Sequence, residues 1–177
     1  WELHEGTWLQ WPHNQTNKGD GYREKLDPIW VQMTKELHLG ERVHIVVNDN
    51  NEKEHVAALL QKEGVDLQKV DFLVQPTDDI WIRDNGPIFV CDQNRKIALT
   101  KWIFNGWGNR FPYLLDSAIP EKVAELLNFP CINATVCLEG GGIEVDGKGS
   151  FMAAKSSIIN ENRNPGLSQQ EIETALN

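Results

Sequence analysis

Asp84-Asn85-Gly86-Pro87-Ile88-Phe89-Val90 and Glu139-Gly140-Gly141-Gly142-Ile143-Glu144-Val145 follow one pattern: an acid, any residue, glycine, glycine or proline, isoleucine, any residue, valine. The copies lie about 55 residues apart, close to the spacing of repeats that are each one supersecondary unit. Each leads into a hairpin. Ile88-Phe89-Val90 and Ile97 to Phe104 flank a turn at Asp92 to Arg95, and Ile143-Glu144-Val145 and Ser150 to Ala153 flank Asp146-Gly147-Lys148-Gly149. An acid repeated at the mouth of a strand implies units set around an axis, with the acids converging on a centre.

Outward from these copies, strands and helices alternate. Thr7 to Trp11 reads as a strand ended by Pro12, and Asp27-Pro28 as the cap and first turn of a helix that stops at Gly40. Val43 to Val47 is a mostly apolar strand, a helix runs through Val56, Leu59 and Leu60 to Gly64, and Val70 to Val74 is a further strand. Pro120 to Leu127 forms a short helix, and Ser168 with Glu171 has capping-box spacing for a last one. The pattern predicts an α/β fold with hairpins mixed in, and not a plain doubly wound parallel sheet.

The segment Thr77-Asp78-Asp79-Ile80-Trp81-Ile82-Arg83-Asp84-Asn85-Gly86-Pro87 packs three acids, an arginine and a tryptophan together, which is costly to bury without a purpose. As an extended strand it would point Trp81 and Arg83 one way and Ile80, Ile82 and Asp84 the other, whereas a bend near Arg83 would change this. A surface strand with an Asp–Arg pair is the plain reading. The sharper one starts from the guanidinium group, a flat cation whose N–H donors form a fixed fork that carboxylates in its plane can grip. Asp84 and Glu139 suit that role, Trp81 offers a ring face for cation–π attraction, and Gly86 and Gly140 to Gly142 let backbone approach closely.

Trp8-Leu9-Gln10-Trp11-Pro12-His13-Asn14, then Asp78 to Pro87, then Phe104-Asn105-Gly106-Trp107-Gly108, then Glu139 to Gly142 with Asp146 to Gly149 resemble, in this order and over the whole chain, agmatine deiminases and the bacterial peptidylarginine-deiminase-like proteins. The resemblance implies a partial pentein-type α/β propeller, about two to three of five ββαβ blades. Residues 1–177 would then be a single partial domain, the N-terminal half of the ring. It implies hydrolysis of agmatine to N-carbamoylputrescine and ammonia, a step toward putrescine, with no metal and no cofactor. Carried onto this sequence, Asp84 and Glu139 are the catalytic acids that bind the guanidinium, and Trp81 shapes the pocket. Trp107 is a further substrate-binding candidate, for which a buried structural tryptophan is an equal explanation. Asp78 and Asp79 are expected to hold the turn or pair with Arg83.

Such chemistry needs a cysteine thiolate to attack the guanidinium carbon and a histidine to move protons. In the family the histidine lies in a His-x-Asp-type motif and the cysteine in a late glycine-rich segment. None of His4, His13, His38, His44 and His55 is followed two residues later by an acid, and Cys91, Cys131 and Cys137 match no family nucleophile position. Each cysteine reads as a buried structural residue, with Cys137, just before Glu139, the nearest to an exception. The chain alone is therefore expected to be inactive.

Bulk composition agrees. The net charge of −9 disfavours nucleic acid as a partner and favours a small cationic guanidine. No apolar run approaches the roughly 20 residues of a membrane span, and the first residues carry no signal-peptide pattern. Three cysteines without metal or disulfide spacing point to a reducing cytoplasm. Open edge strands of a partial ring would invite pairing with another copy as a homo-oligomer. Among the alternatives, agmatine is favoured over arginine-bearing peptides because the Phe104 to Gly108 stretch supplies no basic partner for an α-carboxylate. A non-catalytic guanidinium-binding module, an amidinotransferase on the same fold and a tryptophan-rich sugar-binding protein complete the set.

Overall fold

Val43-His44-Ile45-Val46-Val47 is apolar at nearly every position because both of its faces are covered, the pattern of an interior parallel strand. It forms most of β2 (Arg42–Val47), the middle strand of a parallel sheet with β1 (Gly6–Gln10) on one side and β3 (Val70–Val74) on the other. The structure is a computed structural model describing residues 3–16 and 18–176. Trp1, Glu2 and Asn177, on which the expectations about the two chain ends bear, lie outside the described residues. The chain divides into two compact units, Trp1–Ile82 and Arg83–Asn177.

In the first unit, helices α1 (Tyr22–Leu37) and α2 (Asn50–Lys62) connect the three parallel strands. Trp11, Val31, Val43, Ile45, Val47, Val56 and Leu60 form the core. Helix α1 begins at Tyr22, after Gly21 in the left-handed region, and not at Asp27-Pro28 as predicted. Asp27 is buried within the helix, where its carboxylate accepts the Trp11 indole N–H at 2.7 Å and lies 2.8 Å from His55 Nε2. The acid that resembles a cap is instead a side-chain anchor. Helix α2 is capped reciprocally: Asp49 accepts the Glu52 amide, and the Glu52 carboxylate accepts the Asn48 amide at 2.8 Å.

A single helical turn, α3 (Ile82–Asn85), replaces the extended reading of this segment, at the place where a bend near Arg83 is the alternative. Hairpin β4 (Ile88–Cys91) and β5 (Ile97–Ile103) follows, its turn closed by Asp92 accepting the Asn94 and Lys96 amides. A tight turn, α4 (Gly106–Asn109), and helix α5 (Ile119–Leu127) lead to β6 (Cys131–Cys137), which lies parallel to β5 and completes the order β4-β5-β6. After a short turn at Gly140–Gly142 come the hairpin β7 (Ile143–Val145) and β8 (Phe151–Ala153), then α6 (Lys155–Ile158) and α7 (Gln169–Leu176). The predicted capping box at Ser168 and Glu171 is present, with the Glu171 carboxylate accepting both the amide and the hydroxyl of Ser168. Both copies of the repeat thus carry their acid into a tight turn and then an antiparallel strand pair, within a mixed α/β fold.

Candidate functional site

Asp84 lies on the α3 turn. Its Oδ1 accepts the backbone amide of Gly141 at 3.0 Å and its Oδ2 accepts the Trp107 indole N–H at 2.8 Å. The helical turn explains this reach: an extended 82–85 segment would alternate its side chains, whereas the turn presses Arg83 and Asp84 onto the second repeat. The contact is close. A Cβ on Gly140 would lie 2.3 Å from the Arg83 carbonyl oxygen, and one on Gly141 would lie 2.2 Å from Asp84 Oδ1. Arg83 itself donates from Nη2 to the Ile143 carbonyl at 3.3 Å, so the acid of the first repeat and the residue before it both bind backbone of the second.

Trp107 reaches Asp84 from an unusual backbone. Gly106, Trp107, Gly108 and Asn109 all have positive φ, at 62°, 58°, 82° and 62°. The turn closes with the Asn109 amide donating to the Asn105 carbonyl at 2.7 Å and the Arg110 amide to the Gly106 carbonyl at 3.0 Å. It is one turn of left-handed helix, a conformation costing roughly 1–2 kcal/mol per non-glycine residue. Such strain persists where surrounding contacts fix it, commonly at functional sites. Here Asn105 caps the turn by accepting the Gly108 amide, and the Trp107 ring meets Phe104 and Phe111 edge-on at 5.1 and 5.8 Å.

Glu139 is buried, with 5% of its surface exposed, immediately before the glycine turn. Its two carboxylate oxygens lie 2.7 and 3.0 Å from Nε of Arg163. Asn164 then clamps the end of β6, its side chain accepting the Cys137 amide and donating to the Cys137 and Ile158 carbonyls. Cys137 is buried, and that burial, with Glu139 adding and Arg163 opposing, pushes its thiol up to about 11. A thiol held that high stays protonated at neutral pH, which fits a structural role. Burial also raises the Cys131 thiol.

Of the residues singled out from the sequence, the second unit therefore brings together Asp84, Trp107 and the turn that starts at Glu139. Trp81 belongs to the first unit, with half of its surface exposed. Asp79 is buried, accepts the Ile80 amide and lies 3.9 Å from Lys18. Arg163 and the asparagines around it escaped the sequence reading, which took residues 160–166 as a polar connection. The signal available was an arginine set between asparagines and followed by proline. Asn85 is buried beside Asp84, and among the described residues neither end of its amide is hydrogen-bonded. Among the described residues, no group of three or more His, Cys, Asp or Glu is placed to hold a metal, and no helix is long and apolar enough to cross a membrane.

An ionised carboxylate has about four lone-pair sites. Asp84 spends one on each oxygen, on the Gly141 amide and the Trp107 indole, which leaves two of the four. The whole sequence, residues 1–177, matches the family model of the Porphyromonas-type peptidyl-arginine deiminases. The chain belongs to that family. Similar members include the agmatine deiminase of Pseudomonas aeruginosa strain LESB58, 31% identical over 99% of this chain and 48% of its own length. A substrate-bound C315S agmatine deiminase from C. jejuni superimposes with a TM-score of 0.86 at 26% identity, over 99% of this chain and 50% of that one. The agmatine deiminase of Enterococcus faecalis does so at 0.82 and 26%, covering 99% and 47%. The chain spans about half the length of the relatives it matches.

Proposed function

We propose that this chain supplies the guanidinium-holding acids of an agmatine deiminase-type hydrolase, which converts agmatine and water to N-carbamoylputrescine and ammonia. The observation that carries this reading is the double anchoring of Asp84, by the Gly141 amide and the Trp107 indole, which sets a carboxylate of one repeat against the glycine turn of the other. Asp84 and Glu139 hold the flat cation, and Trp81 and Trp107 shape its surroundings. A cysteine nucleophile and a proton-shuttling histidine come from outside these residues, so that the chain alone binds without turning over. The name of its family keeps peptidyl-arginine as the alternative substrate, and a guanidinium-binding module without catalysis is the alternative role.

The two repeats, each an acid followed by a hairpin, support an arrangement as blades of a five-membered α/β propeller, with residues 1–177 as its N-terminal half. No metal or cofactor enters the scheme, and a cytoplasmic setting fits the unpaired cysteines. Calorimetric titration tests the core of the proposal. Agmatine should bind the chain, the neutral ureido analogue N-carbamoylputrescine should bind far more weakly, and Asp84→Asn should abolish the difference. Equal affinity for the two ligands would remove the proposal's basis, and ammonia release by the chain alone would contradict the predicted inactivity.

A further inference from the structure

Arg163 lies in Asn160-Glu161-Asn162-Arg163-Asn164, a segment between α6 and α7 that makes contact at three points of the second unit. Its side chain holds both oxygens of Glu139, with 18% of the arginine side chain and 6% of the glutamate side chain exposed. The neighbouring Asn162 carbonyl accepts the Asn105 side-chain amide at 2.9 Å, and Asn105 is the residue that caps the left-handed turn. That turn packs directly on the segment, since a Cβ on Gly108 would lie 3.0 Å from the Asn162 Cβ. On the other side, Asn164 clamps Cys137, two residues before Glu139. The segment is braced internally, with Asn160 Oδ1 accepting the amides of Asn162 and Arg163.

A buried ion pair made only to neutralise Glu139 would need nothing from the rest of the loop. Here the same five residues reach Glu139 through Arg163 and reach Asp84 through Asn162, Asn105 and the turn that carries Trp107. We infer that Arg163 is a positioning residue of the guanidinium site, fixing the Glu139 carboxylate and anchoring the loop that sets the Trp107 indole on Asp84. This inference rests on the functional reading above. A lysine could supply the charge but not a planar N–H shared between the two carboxylate oxygens.

The test follows the Trp107 indole N–H resonance in nitrogen-15 spectra, assigned by its loss in Trp107→Phe, together with agmatine titrations. Wild type, Arg163→Gln, Arg163→Lys, Glu139→Gln and the Arg163→Gln/Glu139→Gln double variant are compared. Without ligand, Arg163→Gln should shift or broaden the Trp107 resonance, and Arg163→Lys should do so less. Arg163→Gln should weaken agmatine binding about tenfold, whereas adding it to Glu139→Gln should cost clearly less, only the route through the Trp107 loop then remaining to be lost. A folded Arg163→Gln with an unmoved Trp107 resonance, or equal affinity losses in both backgrounds, would overturn the inference. Should Arg163→Gln give a collapsed spectrum, Arg163→Lys carries the same two comparisons. If agmatine fails to bind the wild-type chain, the functional reading fails, and the ligand-free resonance alone decides the role of Arg163.

Discussion

The indole N–H of Trp107 donates to Asp84 Oδ2 across 2.8 Å, from a tryptophan whose backbone is held at φ 58°. Replacing the indole by a phenyl ring removes this donor while keeping most of the edge contacts to Phe104 and Phe111. Trp107→Phe should lower unfolding free energy by about 1–2 kcal/mol in urea, in line with a bond to a charged acceptor that is partly exposed. Trp107→Ala should cost more, because the ring contacts go as well.

The three glycines after Glu139 are not equivalent. An alanine at 140 would meet the Arg83 carbonyl, and one at 141 would displace Asp84, whereas the nearest atom to a Cβ at 142 is Ser157 Oγ at 3.9 Å. Gly142→Ala should leave the thermal midpoint within a degree or two. Gly140→Ala and Gly141→Ala should each lose about 1–3 kcal/mol, the range for overpacked sites. Gly141→Ala should also abolish agmatine binding, measured by titration.

Glu52 gives the fold a pH dependence of predictable sign. Its burial beneath the start of α2 raises its pKa from 4.5 to about 7, against the opposing effect of the Asn48 amide that it accepts. Between these values the unfolded chain has released the proton while the folded chain keeps it. The advantage of the protonated fold is complete below pH 4.5 and is lost as pH rises through about 7, on the order of 3 kcal/mol at most. Glu52→Gln keeps an acceptor for Asn48 and should flatten this slope. Urea unfolding at pH 5 and pH 8 would check it.

Thiol reactivity should separate the cysteines. Cys91, expected from the sequence to be buried, is exposed at the end of its strand, whereas Cys137 is buried with its thiol pushed up to about 11. Iodoacetamide at pH 8 should label Cys91 and leave Cys137 untouched until denaturant is added, as read by peptide mass mapping.

Much of this was legible in the residues because local rules and tertiary demands agreed. Val43 to Val47 reads as a strand from its apolar run, and Ser168 with Glu171 forms the cap that its spacing predicts. The two hairpins followed from short β-rich runs around Asp92 and Asp146, acids that organise their turns by accepting nearby amides. The acids at 84 and 139 stood out as charge placed beside glycine.

Other features were hidden because distant contacts decide them. Asp27-Pro28 mimics a helix start, but its carboxylate is claimed by Trp11 and His55. The turn at Ile82–Asn85 is set by a glycine segment far along the chain. Gly-Trp-Gly announces a bend, yet nothing local predicts four consecutive left-handed residues with a tryptophan among them. Arg163 and Glu139 join two loops 24 residues apart, and no periodicity encodes such a pairing.

The Asn164 clamp on Cys137 has a consequence for how this protein ages. Spontaneous loss of an asparagine amide proceeds when the next backbone nitrogen attacks the side-chain carbonyl, and it would turn two donated hydrogen bonds into a carboxylate facing two carbonyl oxygens. The next residue is Pro165, whose nitrogen carries no hydrogen to release in that cyclisation. These two bonds are thereby shielded from the common route of chemical decay.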